Sequence, residues 1–175
     1  MGILDFLFVS ECKLCKTPTQ KGSVCAECDA KLRSLINVSE RMITVADREI
    51  KAKYIFKYED EIVKKLLFAL KRNADKELFV YVSLLYELVI DDGFCGIVTN
   101  VPRRLASKRQ YGYDHVKEPC RLLCKRNADR LMYSSLLSRR GFSKDQKYLS
   151  KSDREKNIKG NSGQKERISD AISFL

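Results

Sequence analysis

Long apolar runs are missing from this sequence, and so is the pattern of an export signal. No stretch approaches the roughly 18 consecutive apolar residues that a bilayer-spanning helix needs. The first eight residues are apolar but interrupted by Asp5, and they lack the basic start of a signal peptide. We therefore expect a cytoplasmic protein, in which cysteines remain reduced thiols.

Histidine is nearly absent, and this limits the kinds of catalysis that the chain could perform. His115 is the only histidine among 175 residues, and no Cys or Ser in its neighbourhood suggests a nucleophile paired with it. Internal repeats and low-complexity tracts are also missing. Hydrophobic residues make up 44% of the chain, which is enough for a packed core, so a wholly disordered protein is not expected.

Cysteine, by contrast, is plentiful, and four of the seven cysteines form two C-x-x-C pairs. The pairs are Cys12 with Cys15 and Cys25 with Cys28. Each such turn directs two thiolates at one ion, and two turns complete a tetrahedral shell for zinc. Because the shell leaves no position for water, the predicted zinc is structural. In so small a segment, metal binding would supply much of the folding free energy.

The cysteine pairs admit two other interpretations. A pair of disulfides is disfavoured in a reducing compartment. A thioredoxin-like redox motif requires a βαβ context, which the surrounding sequence lacks. The remaining cysteines have no matching partners, and we expect them to be packing residues: Cys95, Cys120 and Cys124.

Positive charge is confined to one part of the chain. The net charge is +11, and residues 101–160 carry 17 Lys/Arg against 6 Asp/Glu, whereas the rest carries 17 of each. A localised basic field of this kind attracts phosphate groups. The alternative is a solvated face that only aids solubility.

The hydrophobic pattern predicts an α/β order of elements behind the cysteine pairs. The run from Cys95 to Val101 is mostly apolar, which is typical of a strand buried on both faces of a parallel sheet. A basic loop is predicted from Pro102 to Gly112. The other predicted strands are 41–46, 52–58 and 133–137, and the predicted helices are 29–35, 59–71, 76–90, 113–127 and 150–158.

Several motifs occur in an order that resembles the ComF family, proteins associated with DNA uptake in naturally competent bacteria. The cysteine pairs come first, followed by the segment from Tyr58 to Lys71 and by Val101-Pro102-Arg103-Arg104 with Lys108-Arg109-Gln-Tyr-Gly-Tyr-Asp-His; Gln146, Arg154 and Asn157 come last. The resemblance covers about residues 9–160. It implies a zinc-ribbon module at 1–36 and, at 37–175, a Rossmann-like domain with a parallel sheet, similar to type I phosphoribosyltransferases.

The resemblance also implies a site for phosphate. The family's pyrophosphate-side loop maps onto Pro102–Asp114, with phosphoribosyl pyrophosphate as a possible ligand and Gly112 as a tight backbone turn. The residues that the resemblance assigns to phosphate or pyrophosphate are Arg103, Arg104, Lys108, Arg109, Tyr111, Gly112 and Asp114. Four further positions match the family without an implied role: Lys71, Gln146, Arg154 and Asn157.

One family element is missing from its expected place. Type I phosphoribosyltransferases carry two acidic residues at a strand end, followed by a Thr- and Gly-rich loop that cradles the 5′-phosphate. Asp91-Asp92-Gly93 lies before the Val-Pro strand and has no Thr or Ser loop after it, so we interpret it as a helix end. We therefore expect an incomplete domain with an open sheet edge, through which the chain could form oligomers.

Three functions follow from these patterns. The first is a non-catalytic ComF-like protein that binds single-stranded DNA or another phosphate-rich ligand, together with other competence proteins; Tyr111, Tyr113 and Tyr148 could stack on bases. The second is a phosphoribosyltransferase-like enzyme whose catalytic loop is absent from this chain. The third is a zinc-ribbon interaction module on a nonfunctional remnant.

Overall fold

The computed structural model of the chain describes residues 10–19, 22–45, 48–139 and 162–164. Within these residues it contains five helices and four two-stranded sheets, which makes the architecture mixed α/β as predicted. The chain divides into two compact units, one ending at Phe94 and the other beginning at Cys95. The predicted domain boundary after residue 36 stays a prediction, although the cysteine segment belongs to the same unit as the helices that follow it.

The cysteine segment of the first unit is a short hairpin followed by a helix. Strands β1 (Ser10–Glu11) and β2 (Pro18–Thr19) pair antiparallel around the first C-x-x-C turn. Helix α1 (Ala26–Ser34) begins directly after Cys25, three residues earlier than predicted. Its buried side chains are Cys28 and Leu32, so the second cysteine pair lies at the start of this helix, with Cys28 on its buried face.

A second hairpin comes next in the first unit. Strands β3 (Ser39–Val45) and β4 (Arg48–Tyr54) are antiparallel, with Ser39 opposite Tyr54 and Val45 opposite Arg48. The prediction of a strand at 52–58 is wrong in its bounds. Because Val45 pairs with Arg48, the second strand starts soon after the first. It ends at Tyr54, which pairs with the first residue of β3, so the aromatics at 56 and 58 lie beyond the strand.

Two amphipathic helices complete the first unit, close to their predicted positions. They are α2 (Glu61–Arg72) and α3 (Lys76–Glu87). Apolar side chains spaced three or four residues apart face inward from each helix, as a 3.6-residue period requires. The buried residues are Val63, Leu66, Ala69 and Leu70 on α2 and Leu78, Phe79, Val82, Ser83 and Leu85 on α3.

The second unit is built on a parallel strand pair, which confirms the predicted parallel pairing. Strand β5 (Gly96–Val98) pairs with β6 (Leu131–Tyr133), and α5 (Lys117–Arg126) packs against β6. The predicted burial of this strand on both faces is wrong. All three residues of β5 are half-buried and Val101 is exposed, because β6 is the one strand that pairs with β5 among the described residues.

The segment between β5 and α5 is helical where a loop was predicted. Helix α4 (Leu105–Tyr111) occupies most of the basic stretch and ends at Gly112. Its sequence, Leu-Ala-Ser-Lys-Arg-Gln-Tyr, consists mainly of strong helix formers, so intrinsic propensity outweighs the polar pattern that suggested a loop. Helix α5 starts at Lys117 and not at Tyr113, because Asp114 turns the chain between the two helices.

Strand bounds also differ near the end of the described part. The predicted strand at 133–137 is replaced by β6, which ends at Tyr133, and by β7 (Leu137–Arg139). Strand β7 pairs antiparallel with β8 (Ser162–Gln164). The predicted helix at 150–158 lies outside the described residues, as does any larger Rossmann-like sheet to which residues 140–161 would contribute.

Candidate functional site

The four paired cysteines converge on one point of the first unit. The sulfur atoms of Cys12, Cys15, Cys25 and Cys28 all lie within 4.8 Å of one another, and the Cys15 and Cys25 sulfurs are 3.6 Å apart. A Zn–S distance of about 2.3 Å places the sulfurs of a tetrahedral shell about 3.8 Å apart. The four thiols therefore have the spacing that a single zinc ion needs, and they fit the predicted structural metal site.

Backbone hydrogen bonds shape the first cysteine turn for this role. The Cys12 N–H donates to Thr17 O at 2.9 Å, and the Lys16 N–H donates back to Cys12 O at 2.9 Å. Lys16 has a φ of +68°, in the left-handed region that closes the turn. The Cys25 N–H points at the Cys12 sulfur, 3.4 Å away. An N–H directed at a sulfur stabilises the thiolate, which is the form that binds metal.

Local contacts shift the pKa values of the thiols in different directions. The hydrogen bonds of Thr17 lower the pKa of Cys15 to about 6. Burial opposes ionisation of Cys12, but backbone N–H groups of Cys15 and Cys25 hold its pKa below the usual value. Burial, together with the neighbouring thiols, raises the pKa of Cys28. Four thiolates would repel one another, so a divalent cation in the centre is what lets all four ionise together.

Two polar contacts join helix α3 to the metal segment, by which we mean residues 10–34 around the four cysteines. Neither contact was predicted from the sequence. Asp75 caps α3 by accepting a hydrogen bond from the Leu78 N–H at 2.9 Å, and it also accepts a hydrogen bond from the Ser23 hydroxyl. Tyr81, further along α3, donates to Asp29 of α1 at 3.0 Å. An Asp immediately before a helix predicts a cap. Nothing in the sequence indicates that Asp75 also binds Ser23, which lies 52 residues away.

The other cysteines differ among themselves. Cys120 and Cys124 are buried on α5, as predicted for packing residues, and burial raises the pKa of Cys120 to about 11. Cys95 is exposed, so the prediction that it packs in the core is wrong. It begins the second unit just before β5, where the sheet covers less surface than the apolar run suggested.

The basic segment of the second unit folds around one buried carboxylate. Asp114 is 5% exposed, and it accepts from the backbone N–H groups of Arg103 at 3.3 Å and Val116 at 3.2 Å. Lys108 forms an ion pair with it at 3.0 Å. Burial opposes its ionisation, but the Lys108 ammonium and the backbone N–H groups hold the pKa of Asp114 below its ordinary value. The carboxylate thus ties the start of α4 to the start of α5.

The remaining predicted phosphate residues differ in how far they are exposed. The Arg103 guanidinium lies over the rings of Tyr111 at 4.6 Å and Tyr113 at 5.5 Å. Arg104 is half-buried and Arg109 is exposed on α4. Gly112 ends α4 with a φ of +72°, which supplies the tight turn expected of it. In this predicted cluster, contacts join Arg103 to Tyr111 and to Asp114, and Lys108 to Asp114, whereas phosphate binding by the predicted residues stays a prediction.

This cluster directly follows the carboxyl end of a parallel strand. Beyond β5, Asn100 accepts a hydrogen bond from the Tyr133 hydroxyl at 2.6 Å, and Thr99 accepts from the Leu136 N–H at 3.3 Å. These contacts join the carboxyl ends of β5 and β6. In parallel α/β sheets, ligands bind at that edge.

Of the four family-motif residues without an assigned role, one lies in the described part of the chain. Lys71 is exposed in the last turn of α2, in the first unit. Gln146, Arg154 and Asn157 lie outside the described residues, and so does Tyr148. The structure thus gives no joint geometry for this group.

Comparisons with known proteins leave the chain without an assigned family. It matches no protein-family model, no curated protein and no solved structure. None of the helices in the described part of the chain has both the length and the apolar character of a membrane span. Any proposal for function therefore depends on the resemblance of the sequence motifs and on the local geometry of the two sites.

Proposed function

We propose that this chain is a ComF-like protein associated with DNA uptake, which binds a phosphate-rich ligand without catalysing a reaction on its own. The ligand is phosphoribosyl pyrophosphate or single-stranded DNA, and the basic segment 103–114 holds it. The zinc held by Cys12, Cys15, Cys25 and Cys28 stabilises the first unit. The second unit is, in this proposal, similar to a type I phosphoribosyltransferase domain.

The observation that carries the proposal is the place of the basic segment. Only residues 99–102 separate it from the end of β5, so it lies at the carboxyl edge of the one parallel strand pair among the described residues. Phosphates favour this edge because chain turns there present N–H groups and cationic side chains. Asp114 is buried and anchors the backbone of the segment, so that backbone need not be ordered when a ligand binds.

Charge supports the same ligand class. Residues 101–160 hold the whole positive excess of the chain, and Arg104 and Arg109 lie within it on or beside α4. Guanidinium groups bind phosphate oxygens by paired, charge-assisted hydrogen bonds. Arg103 stacks on Tyr111, so its guanidinium is oriented before any ligand arrives.

Calorimetric titration with phosphoribosyl pyrophosphate and with inorganic pyrophosphate tests this proposal. The variant Arg104→Gln/Arg109→Gln is expected to weaken binding at least about tenfold, since two charge-assisted contacts are lost. The matched control is Arg121→Gln/Lys125→Gln, which removes two exposed cations from α5. Wild-type protein that binds neither these compounds nor single-stranded DNA, or a control that weakens binding equally, would contradict the proposal.

A further inference from the structure

A second basic surface lies in the first unit, where the overall charge gives no sign of one. Residues 1–94 carry 15 Lys/Arg and 15 Asp/Glu, so the unit is neutral in sum. Nevertheless, a groove of about 540 Å³ runs between the first cysteine turn and helix α2. None of the described residues that line it is acidic. Five of them are cationic: Lys13, Lys16, Lys64, Lys65 and Arg72.

The two walls of the groove are both fixed elements. Lys13 and Lys16 belong to the turn closed by the Cys12 and Thr17 backbone hydrogen bonds. Lys64, Lys65 and Arg72 lie on α2, along a stripe about 12 Å long, which matches three to four stacked nucleotides of one strand.

The few acids near the groove leave its cations available. Glu61 bonds Lys64 at 2.8 Å, but both side chains are exposed and such pairs are weak. Asp75 is 3.8 Å from Lys13, a long contact, and its main partners are Ser23 and Leu78. A phosphate can therefore replace the Glu61 carboxylate at small cost.

An exposed aromatic ring distinguishes the groove from a plain basic patch. Phe68 lines it with 57% of its surface exposed, whereas Leu66 and Leu70 of the same helix are buried. The Arg72 guanidinium lies over this ring, 4.2 Å from its centre. A stacked Arg and Phe beside lysines is the combination with which proteins hold single strands, because bases stack on the planar groups while lysines meet phosphates.

We propose that this groove binds single-stranded nucleic acid through its sugar–phosphate backbone and at least one stacked base, in a sequence-independent manner. The inference does not depend on the proposed role of segment 103–114, which lies in the other unit. It commits to a nucleic acid over an acidic peptide because Phe68 offers a stacking surface that a carboxylate-rich chain would not use.

Fluorescence anisotropy with a labelled DNA strand of about 12 nucleotides tests the proposal. The groove variant is Lys64→Gln/Lys65→Gln/Arg72→Gln, and the matched control is Lys51→Gln/Lys57→Gln/Lys76→Gln, three cations that do not line the groove. We expect the groove variant to lose at least about tenfold in affinity, and the logarithmic salt dependence to become shallower by about 2, since each phosphate contact to a single strand contributes about 0.7. The control should change affinity by no more than about twofold.

Two further measurements test whether a base stacks in the groove and whether the groove acts independently of segment 103–114. Phe68→Ala should weaken binding of the strand at least about fivefold, the lower end of what a lost base stack costs. Arg104→Gln/Arg109→Gln should leave the effect of the groove variant intact, so failure of the proposed function would not be mistaken for failure of this one. Unchanged affinity of the groove variant or of Phe68→Ala, or equal competition by polyglutamate, would overturn the proposal.

Discussion

At the scale of single residues, the chemistry of both sites depends on charges that are held by nearby hydrogen-bond donors. The Cys12 and Cys15 thiols are stabilised as thiolates by hydrogen bonds from N–H groups and Thr17. Asp114 is stabilised by backbone N–H groups and by Lys108. In each case, an anion is kept charged by donors that the local turn supplies.

Asp114 gives the sharpest test at this scale. Its replacement in Asp114→Ala should lower the free energy of unfolding of the second unit by about 1–3 kcal/mol, because the Val116 and Arg103 N–H groups lose their acceptor. Urea denaturation followed by circular dichroism measures the change. Asp129→Ala, an exposed acid on the same unit, is the control and should have little effect.

The pH dependence of the same residue has a defined sign. Its pKa is lower in the folded protein than the ordinary value of 3.8, so the stabilisation is fully present above that value. It disappears as pH falls below about 4 and through the folded pKa, because the protonated acid no longer attracts Lys108. The stability difference between wild type and Asp114→Ala should shrink in that range. An equal difference at pH 7 and at pH 3 would show that the charge is not what matters.

At the scale of elements, the starts of helices α2 and α3 differ in their capping contacts. Asp75 caps α3 and binds Ser23 of the metal segment, whereas Asp60 at the start of α2 makes no capping hydrogen bond through its side chain. The two helices have equal length and each buries one apolar face. They therefore form a natural comparison within one unit.

We expect Asp75→Ala to destabilise the first unit by about 1–2 kcal/mol and Asp60→Ala by about a few tenths, because only the first loses a cap. Thermal denaturation of the zinc-loaded protein measures both. Equal effects of the two substitutions would indicate that the Asp75 contacts to Leu78 and Ser23 add nothing.

Gly112 is the corresponding position at a helix C-terminus. Its φ is +72°, and a Cβ atom added there would meet no other atom within 4 Å, so substitution costs backbone strain alone. Gly112→Ala should therefore lose about 1 kcal/mol, and Gly112→Asn less, because Asn tolerates the left-handed region. A larger loss for Asn than for Ala in chemical denaturation would contradict this explanation.

The sequence predicted helices α2 and α3 well because their apolar spacing is determined by local periodicity. Helix α4 was missed because it has no buried residue, so its pattern carries no amphipathic signal. The burial of β5 was overestimated, since burial depends on neighbouring strands that a local run of apolar residues does not specify. The cysteine cluster was predictable because C-x-x-C spacing is a local property, whereas the basic groove needs two segments about 50 residues apart to meet.

At the scale of the whole molecule, net charge is a poor guide to where anions bind. The +11 excess points to the second unit, yet the neutral first unit also segregates cations onto one groove. In the first unit, carboxylates such as Asp75 and Glu27 serve caps and surface pairs, and no acid is among the described residues that line the groove. Charge placement by the fold, and not composition, decides the surface potential there.

The zinc site is the central claim, because the first wall of the groove and the packing of α1 both depend on the cysteine turns. Native mass spectrometry of the reduced protein, supplied with zinc and then freed of excess metal, tests it most directly. We predict a mass increase of one zinc ion per chain, lost in Cys15→Ser and retained in Cys95→Ser, because Cys95 lies outside the cluster. A metal-free wild-type mass after zinc has been supplied, or zinc retained at full affinity in Cys15→Ser, would contradict it.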